Sequence, residues 1–223
     1  VRHEICTYLL STNFLGTMRN FFKKRHINYW RNRVMDWKQS YFEDHPHREL
    51  IIDTLRKYPA GSVIEFGCAS GYNLHKIRQS FPHMEIGGID ISEEAIATAK
   101  RLLPEDTAVL EACSADSVFL SDKSADVVLT DMCLIYFDPM SIRNVLKEVR
   151  RVARKYVILI EFHHTNWFKR LALRLLTGYN SYNYRKLLEK KGFSDMEFYK
   201  LTEADWPGGA PQKQFAWLII AKV

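Results

Sequence analysis

Ser62-Val63-Ile64-Glu65-Phe66-Gly67-Cys68-Ala69-Ser70-Gly71 is the stretch on which the fold of this chain turns. Ser62–Phe66 is a short run of β-favouring residues, and the glycine-containing turn behind it predicts a strand feeding a tight loop. A helix from about Gly71 to Phe81 is expected to follow. Glycine at 67 and 71 lets the backbone pass close to a ligand at the carboxyl edge of a sheet. A dinucleotide-binding loop would read G-x-G-x-x-G, its middle glycine making room for a pyrophosphate. Ala69 stands at that position and the last glycine is displaced, so the loop is shaped for a ligand without a pyrophosphate.

Working outward, Met84–Asp90 reads as a second strand, and Ser92 then offers an N-cap hydroxyl with Glu93 and Glu94 in the first turn of a helix to about Leu103. Strands are predicted at about Thr107–Ala112, at Ala125–Thr130 and at Tyr156–Ile160, with a helix over Ile142–Val152. Apolar central strands alternating with amphipathic helices imply βαβ units around a mostly parallel sheet. A helical insertion is expected at about 166–191. Two last strands near Met196–Leu201 and Phe215–Ala221, with Pro207-Gly208-Gly209 between them, predict an antiparallel C-terminal hairpin. Residues 1–59 have a helical pattern, and Pro46 is placed to start the last helix there, up to about Tyr58. The expected organisation is an α/β domain over 60–223 with an N-terminal helical cap over 1–59.

The spacing Glu65-x-Gly67-x-x-x-Gly71 after a strand resembles motif I of the class I S-adenosylmethionine-dependent methyltransferases, in their small-molecule branch. The matches run over about residues 60–161, and the terminal hairpin extends the plan to the end. The resemblance implies a Rossmann-like seven-stranded sheet, S-adenosylmethionine as methyl donor and S-adenosylhomocysteine as product. It makes Glu65, Gly67, Cys68, Ala69 and Gly71 a cradle for the amino acid and ribose parts of the cofactor. Asp90 would accept both ribose hydroxyl protons, with Ile91 against the adenine face. Ser114, Ala115 and Asp116 would meet the adenine, Asp116 accepting from its exocyclic amine. Asp131 and Met132 would lie beneath the reacting methyl. The Asn/Asp-Pro-Pro-aromatic tetrad of base-amino methylases is missing after the fourth strand, which disfavours nucleic acid as acceptor.

The totals bound the remaining choices. A 223-residue chain that is 47% hydrophobic and 26% charged has ordinary globular composition. It carries no apolar run near the roughly 18 residues of a membrane span, and no secretory leader is recognisable; compactness and thiol content suggest the cytoplasm. Cys6, Cys68, Cys113 and Cys133 form no CxxC pair, so free thiols and no metal are expected. The net charge of +6 is unevenly divided: residues 1–59 hold 11 Lys/Arg against 6 Asp/Glu, residues 60–161 hold 11 against 15, and residues 162–223 hold 10 against 5. Basic flanks around an acidic centre differ from the uniform coat of a nucleic-acid binder.

The flanks are expected to wall an acceptor chamber, with Tyr29, Trp30, Trp37 and Tyr41 from the first and Trp167 and Arg170 from the second. Their basic charge suggests O-methylation of an anionic acceptor, a sugar, glycan precursor or lipid-like metabolite. Trp167–Leu176 also reads as an interfacial amphipathic helix suited to peripheral membrane contact, as does Phe14–Arg25. A base is needed only where the acceptor must lose a proton. The candidates are His163 and His164, just after the fifth strand, with Tyr136 as a third. Competing readings are an RNA methyltransferase and a catalytically inert cofactor-binding scaffold; a nicotinamide-dependent oxidoreductase is disfavoured by Ala69 and the terminal hairpin.

Overall fold

The computed structural model describes residues 29–33, 45–208 and 210–223. The strand-forming runs are apolar on both sides because helices cover both faces of the sheet they build. In chain order the elements are α1 (His47–Lys57), β1 (Ser62–Phe66), α2 (Tyr72–Ser80), β2 (Glu85–Asp90), α3 (Glu93–Leu102) and β3 (Val109–Ala112). Then come β4 (Ala125–Asp131), a single 3-10 turn at Leu134–Tyr136, α4 (Ser141–Val152) and β5 (Ala153–Phe162). The chain closes with α5 (Trp167–Thr177), α6 (Tyr184–Glu189), β6 (Ser194–Lys200), α7 (Ala210–Phe215) and β7 (Ala216–Lys222).

The seven strands form one sheet in the order β3-β2-β1-β4-β5-β7-β6. The first five neighbours run parallel, and β7 runs antiparallel to both β5 and β6. The chain winds outward from β1 to β3 and then crosses back to β4, so β1 and β4 are the strands at which the winding reverses. Ligands of open α/β sheets settle outside the carboxyl ends of such a pair.

Two apolar layers hold the sheet. On one face α1, α2 and α3 bury Ile51, Ile52, Leu55, Leu74, Ile77 and Ile96 against Val63, Val127 and Ile158. On the other face α4 and α6 bury Ile142, Val145, Leu146, Val149, Tyr184 and Leu188 against Ile64, Val128 and Leu159. The apolar spacing in α4, at i, i+3, i+4 and i+7, puts that whole stripe on the sheet. Ser92 caps α3 as its position suggested, its hydroxyl accepting from the Ala95 N–H at 3.2 Å.

Three expectations need adjustment. The last two strands pair antiparallel, but no tight hairpin turn joins them: the connection runs over residues 201–215 and contains α7, so Phe215 ends a helix and does not open a strand. β5 is longer than the apolar run Tyr156–Ile160, since β7 supplies partners out to Phe162. β3 begins at Val109, two residues after the expected start. The insertion over 166–191 carries α5 and α6. Of the N-terminal cap, residues 1–28 and 34–44 lie outside the described residues, and α1 packs directly into the core of the main sheet.

Candidate active site

A cavity of about 420 Å³ opens at the carboxyl ends of β1, β2 and β4. Its floor is the loop after β1. Gly67 turns there at φ +79°, and a Cβ on it would lie 2.4 Å from Cys133 Sγ, so glycine is required by both dihedral and packing. Ala69 also takes a left-handed conformation, at φ +48°, and so does Met132 after β4, at φ +48°. Two non-glycine residues in this region flank one cavity, a pattern of strain that collects at functional sites. Gly71, at φ +84°, is the residue before α2, and a Cβ on it would lie 3.0 Å from Leu103 Cδ1 and 3.2 Å from Ala99 Cβ.

Asp90, at the end of β2, holds the loop in place. Its Oδ2 accepts from the Ala69 N–H at 2.9 Å and its Oδ1 from the Ser92 N–H at 2.9 Å. Burial lifts its pKa, and these backbone donors partly offset that rise.

A polar network crosses the inner wall between Glu65 and Asp131. The Asn73 amide donates to Glu65 Oε1 at 2.7 Å and to Asp131 Oδ2 at 2.9 Å, while Arg48 Nε donates to Asn73 Oδ1 at 3.0 Å. Asp131 Oδ2 also pairs with His47 Nε2 at 2.7 Å, and His47 Nδ1 meets His45 Nδ1 at 2.5 Å. His47 stacks on Trp206 with ring centroids 4.5 Å apart. Burial pushes Glu65 up to about 8, and the neighbouring Asp131 charge pushes the same way. Asp131 behaves differently: burial would raise it, but His47, Asn73 and Arg48 together bring it below the usual range. One carboxyl is therefore held protonated near neutrality beside one held ionised. Glu65 Oε2 and Asp131 Oδ1 are buried and have no hydrogen-bond donor among the described residues.

The outer wall is aromatic. Trp30 meets Tyr136 edge to face at 4.9 Å, and Tyr136 meets Tyr179 at 5.7 Å.

Residues 63–156, which supply the loop, Asp90 and Asp131, match the methyltransferase domain family. The match covers under half of the chain, and it assigns that stretch to the methyltransferase domain family. Among curated proteins, this chain is similar to the ribosomal RNA small subunit methyltransferase C of Pseudomonas syringae pv. syringae, 22% identical over 105 residues, 46% of this chain and 32% of that one. It is also similar to the malonyl-[acyl-carrier protein] O-methyltransferase of Bacillus cytotoxicus, 23% identical over 127 residues, 56% of this chain and 44% of that one. The chain thus matches less than half the length of either relative. A solved structure of geranyl diphosphate methyltransferase in complex with GPP and sinefungin shares the fold, with a TM-score of 0.69 at 12% identity over 90% of this chain and 98% of that one.

The methyltransferase fold gathers most of the expected cofactor residues. Glu65, Gly67, Cys68 and Ala69 line the cavity from β1, Asp90 and Ile91 from β2, Ser114 and Ala115 from the segment after β3, and Met132 and Asp131 from β4. Gly71 and Asp116 stand outside the lining; Asp116 instead accepts from the Ser114 hydroxyl at 2.7 Å. Trp30 and Tyr136 line the cavity. Tyr29 does not and is largely exposed, and Trp37 and Tyr41 lie outside the described residues.

The two histidines expected as bases are a correction. His163 is buried on the opposite side of the sheet, accepting from the Tyr184 N–H at 3.1 Å and ringed by Phe198 and Trp217. Alternation along β5 explains this: Phe162 faces the layer of α1 and α2, so His163 must face the layer of α4 and α6. Burial, then the positive charge of His164 and Arg185, lowers its pKa to about 4. His164 packs on Phe215 and accepts from the Asn166 N–H; burial, then Lys169 and Arg170, lowers its pKa as well. Neither lines the cavity. Trp167 and Arg170 are corrected too: Trp167 stacks on Phe168 at 3.7 Å on the outside of α5, and Arg170 reaches only toward the His164 carbonyl.

The residues that sequence reasoning missed are His45, His47, Arg48, Asn73 and Trp206, all on the cavity wall. Asn73 was reachable in principle, lying two residues beyond Gly71 in the first turn of α2. His47 carried no such signal, because its partner Asp131 is far along the chain. Glu161 Oε1 accepts from the Thr130 hydroxyl and from the Cys133 and Leu134 N–H groups at 2.9–3.1 Å, fixing the turn after β4 from beneath.

Proposed function

We propose that this chain transfers a methyl group from S-adenosylmethionine to an oxygen of a small acceptor. The observation that carries the reading is the pair of buried, unpartnered carboxylate oxygens, Glu65 Oε2 and Asp131 Oδ1, at the end of the glycine loop. Buried acceptors without donors are costly, and a ligand ammonium would relieve both. The α-amino group of the cofactor is such a donor. Asp90 would take the ribose hydroxyls, with lone pairs beyond those given to Ala69 and Ser92. Ile91, Ser114 and Ala115 would flank the base.

When bound, the sulfonium donor supplies a methyl whose leaving group is already activated. The chain's contribution is then placement. The strained loop and the turn at Met132 fix the floor of the cavity, and Trp30, Tyr136 and Tyr179 offer ring faces and edges that accommodate a cation. Holding donor and acceptor at near-attack distance can be worth roughly 7–11 kcal/mol.

The acceptor is read as small and anionic. The cavity supports the first property by its size. The second rests on the basic flanks and on Arg48, the Lys/Arg side chain among the described lining residues. A lipid-like acceptor is favoured by α5, where Trp167, Phe168, Leu171, Leu175 and Leu176 are exposed beside Lys169, Arg170 and Arg174 with no acidic residue in the helix. Such a face suits the boundary of an anionic bilayer. No helix among the described residues is long and apolar enough to cross a membrane. A second reading, RNA as acceptor, is favoured by the similarity to a ribosomal RNA methyltransferase.

Incubating the protein with S-adenosylmethionine carrying a labelled methyl, against panels of hydroxylated anions, lipids and ribosomal RNA, tests the reading. Label in a small hydroxyl compound is the expected result. Label in RNA alone would replace it with the second reading, and label in nothing, with the cofactor bound, would favour an inert scaffold.

A further inference from the structure

Gln212, on α7, lines the cavity with a side-chain amide that makes no hydrogen bond to any of the described residues. Its Oε1 is buried and has no donor. Buried polar groups in native proteins are almost always bonded, so an amide left open at a cavity marks a place for a ligand. The order of the strands decides which ligand. Ala69, Asp90 and Ser114 reach the cavity from the segments after β1, β2 and β3, and Glu65 and Asp131 stand on the middle strands, β1 and β4. Gln212 and Trp206 come from the other side of the sheet, on the connection between β6 and β7. A donor seated between Asp90 and the Glu65–Asp131 pair leaves that side of the cavity to the acceptor.

The connection holds Gln212 at the wall. Leu201 and Phe215 bury its two ends in the core, and the Leu201 N–H donates to the Ala216 carbonyl at 3.1 Å. Asp205 Oδ2 accepts from the Thr202 N–H and hydroxyl at 2.8 and 2.7 Å. Glu203 braces the rest, accepting from the Gly208 N–H at 3.1 Å and pairing with Lys213 at 2.8 Å. Trp206 stacks on His47, which pairs with Asp131, so the segment is docked on the inner wall of the site. We propose that Gln212 binds the acceptor and that the group it takes is a hydroxyl. This deepens the methyltransferase reading above and rests on it. An amide both gives and receives hydrogen bonds, and so does a hydroxyl, so the two match whichever way the amide is turned. A carboxylate or phosphate could meet only its N–H groups, and an ammonium only its oxygen. The connection between β6 and β7 thereby selects for a hydroxylated acceptor, because a compound lacking that hydroxyl would leave the amide unpaired.

Gln212→Met tests the assignment in the full chain, since it keeps the length and helix preference of the side chain and removes both polar atoms. The lost oxygen has no partner within the described chain, so the melting temperature is expected to hold or rise. Affinity for S-adenosylmethionine, read by calorimetry, is expected to stay within about twofold. Methyl transfer from labelled S-adenosylmethionine is then followed with sugar phosphates, hydroxy acids and phosphatidylglycerol vesicles offered singly. For the compound that the unsubstituted protein labels, the variant is expected to show KM raised about tenfold with kcat little changed. Should Gln212→Met not fold, Gln212→Ala is expected to give the same rise in KM. A melting temperature lowered by more than about 4 °C would mean that the amide serves the fold. That result, a tenfold loss of cofactor affinity, or an unchanged KM overturns the role of Gln212 alone. No label from the unsubstituted protein sinks the methyltransferase reading, and the role of Gln212 with it.

Discussion

A Cβ built on Gly67 would meet Cys133 Sγ at 2.4 Å, and the backbone there turns at φ +79°. Gly67→Ala is therefore expected to lower stability by about 1–3 kcal/mol, through dihedral strain and overpacking together. Denaturant unfolding of the purified variant checks it; an unchanged midpoint would mean that the loop has room it does not show. Glu65 makes a second residue-level prediction. Its carboxyl is pushed up to about 8 in the unliganded protein, so it is largely protonated at neutral pH. An ammonium seated against Oε2 favours the carboxylate, so cofactor binding should release up to about one proton near neutrality. Calorimetry in buffers of differing ionisation enthalpy measures that release, and Glu65→Gln should abolish it. These residues were unequally legible. Gly67 and Asp90 announced themselves through spacing along one strand-loop-helix unit. The pairing of His47 with Asp131, bonded across 84 positions, is created only by tertiary packing.

The turn after β4 depends on a residue of the neighbouring strand. Glu161 is fully buried, and its Oε1 takes three donors from Thr130, Cys133 and Leu134. Glu161→Ala would leave those donors unmatched, at a cost of about 2–4 kcal/mol, read by thermal or denaturant unfolding. Element α5 shows the opposite condition. Leu175 is 76% exposed and Leu176 is 84% exposed, so Leu175→Glu with Leu176→Glu should leave stability within about 0.5 kcal/mol. The same pair should abolish cosedimentation with anionic vesicles; equal binding by both proteins, or by neither, removes the membrane-facing role. At this scale the order of strands and helices was readable from apolar periodicity. The ends of β5 were not, because β7, much later in the chain, extends it to Phe162 and thereby turns His163 away from the cavity. The C-terminal pair was readable as antiparallel, but α7 between its strands was hidden behind the turn signal of Pro207-Gly208-Gly209.

Across the whole molecule, carboxyls are shifted in both pKa directions by their local surroundings, and stability should follow pH accordingly. Glu65 and Glu161 are each pushed up to about 8, chiefly by burial. A carboxyl raised in the folded state contributes stability that is fully present below its unfolded value near 4.5 and is lost as pH rises through 8. Asp131 and Glu148 act in the other sense. Both are lowered, so their contribution is present above the unfolded value and lost on acidification. Glu161→Gln should flatten the decline in urea-unfolding free energy between about pH 5 and 8; an undiminished slope would mean that Glu161 is ionised when buried. The winding reversal at β1 and β4 sets the cavity where the loop, Asp90 and Asp131 converge, and that convergence carries the central claim of a methyl-donor site. Calorimetric titration of the protein with S-adenosylmethionine, S-adenosylhomocysteine and NAD, with Asp90→Ala alongside, tests it most directly. The predicted result is saturable binding of both sulfur ligands, none of NAD, and affinity weakened about tenfold or more in the variant. Folded protein free of copurified ligand that binds neither sulfur compound would contradict it.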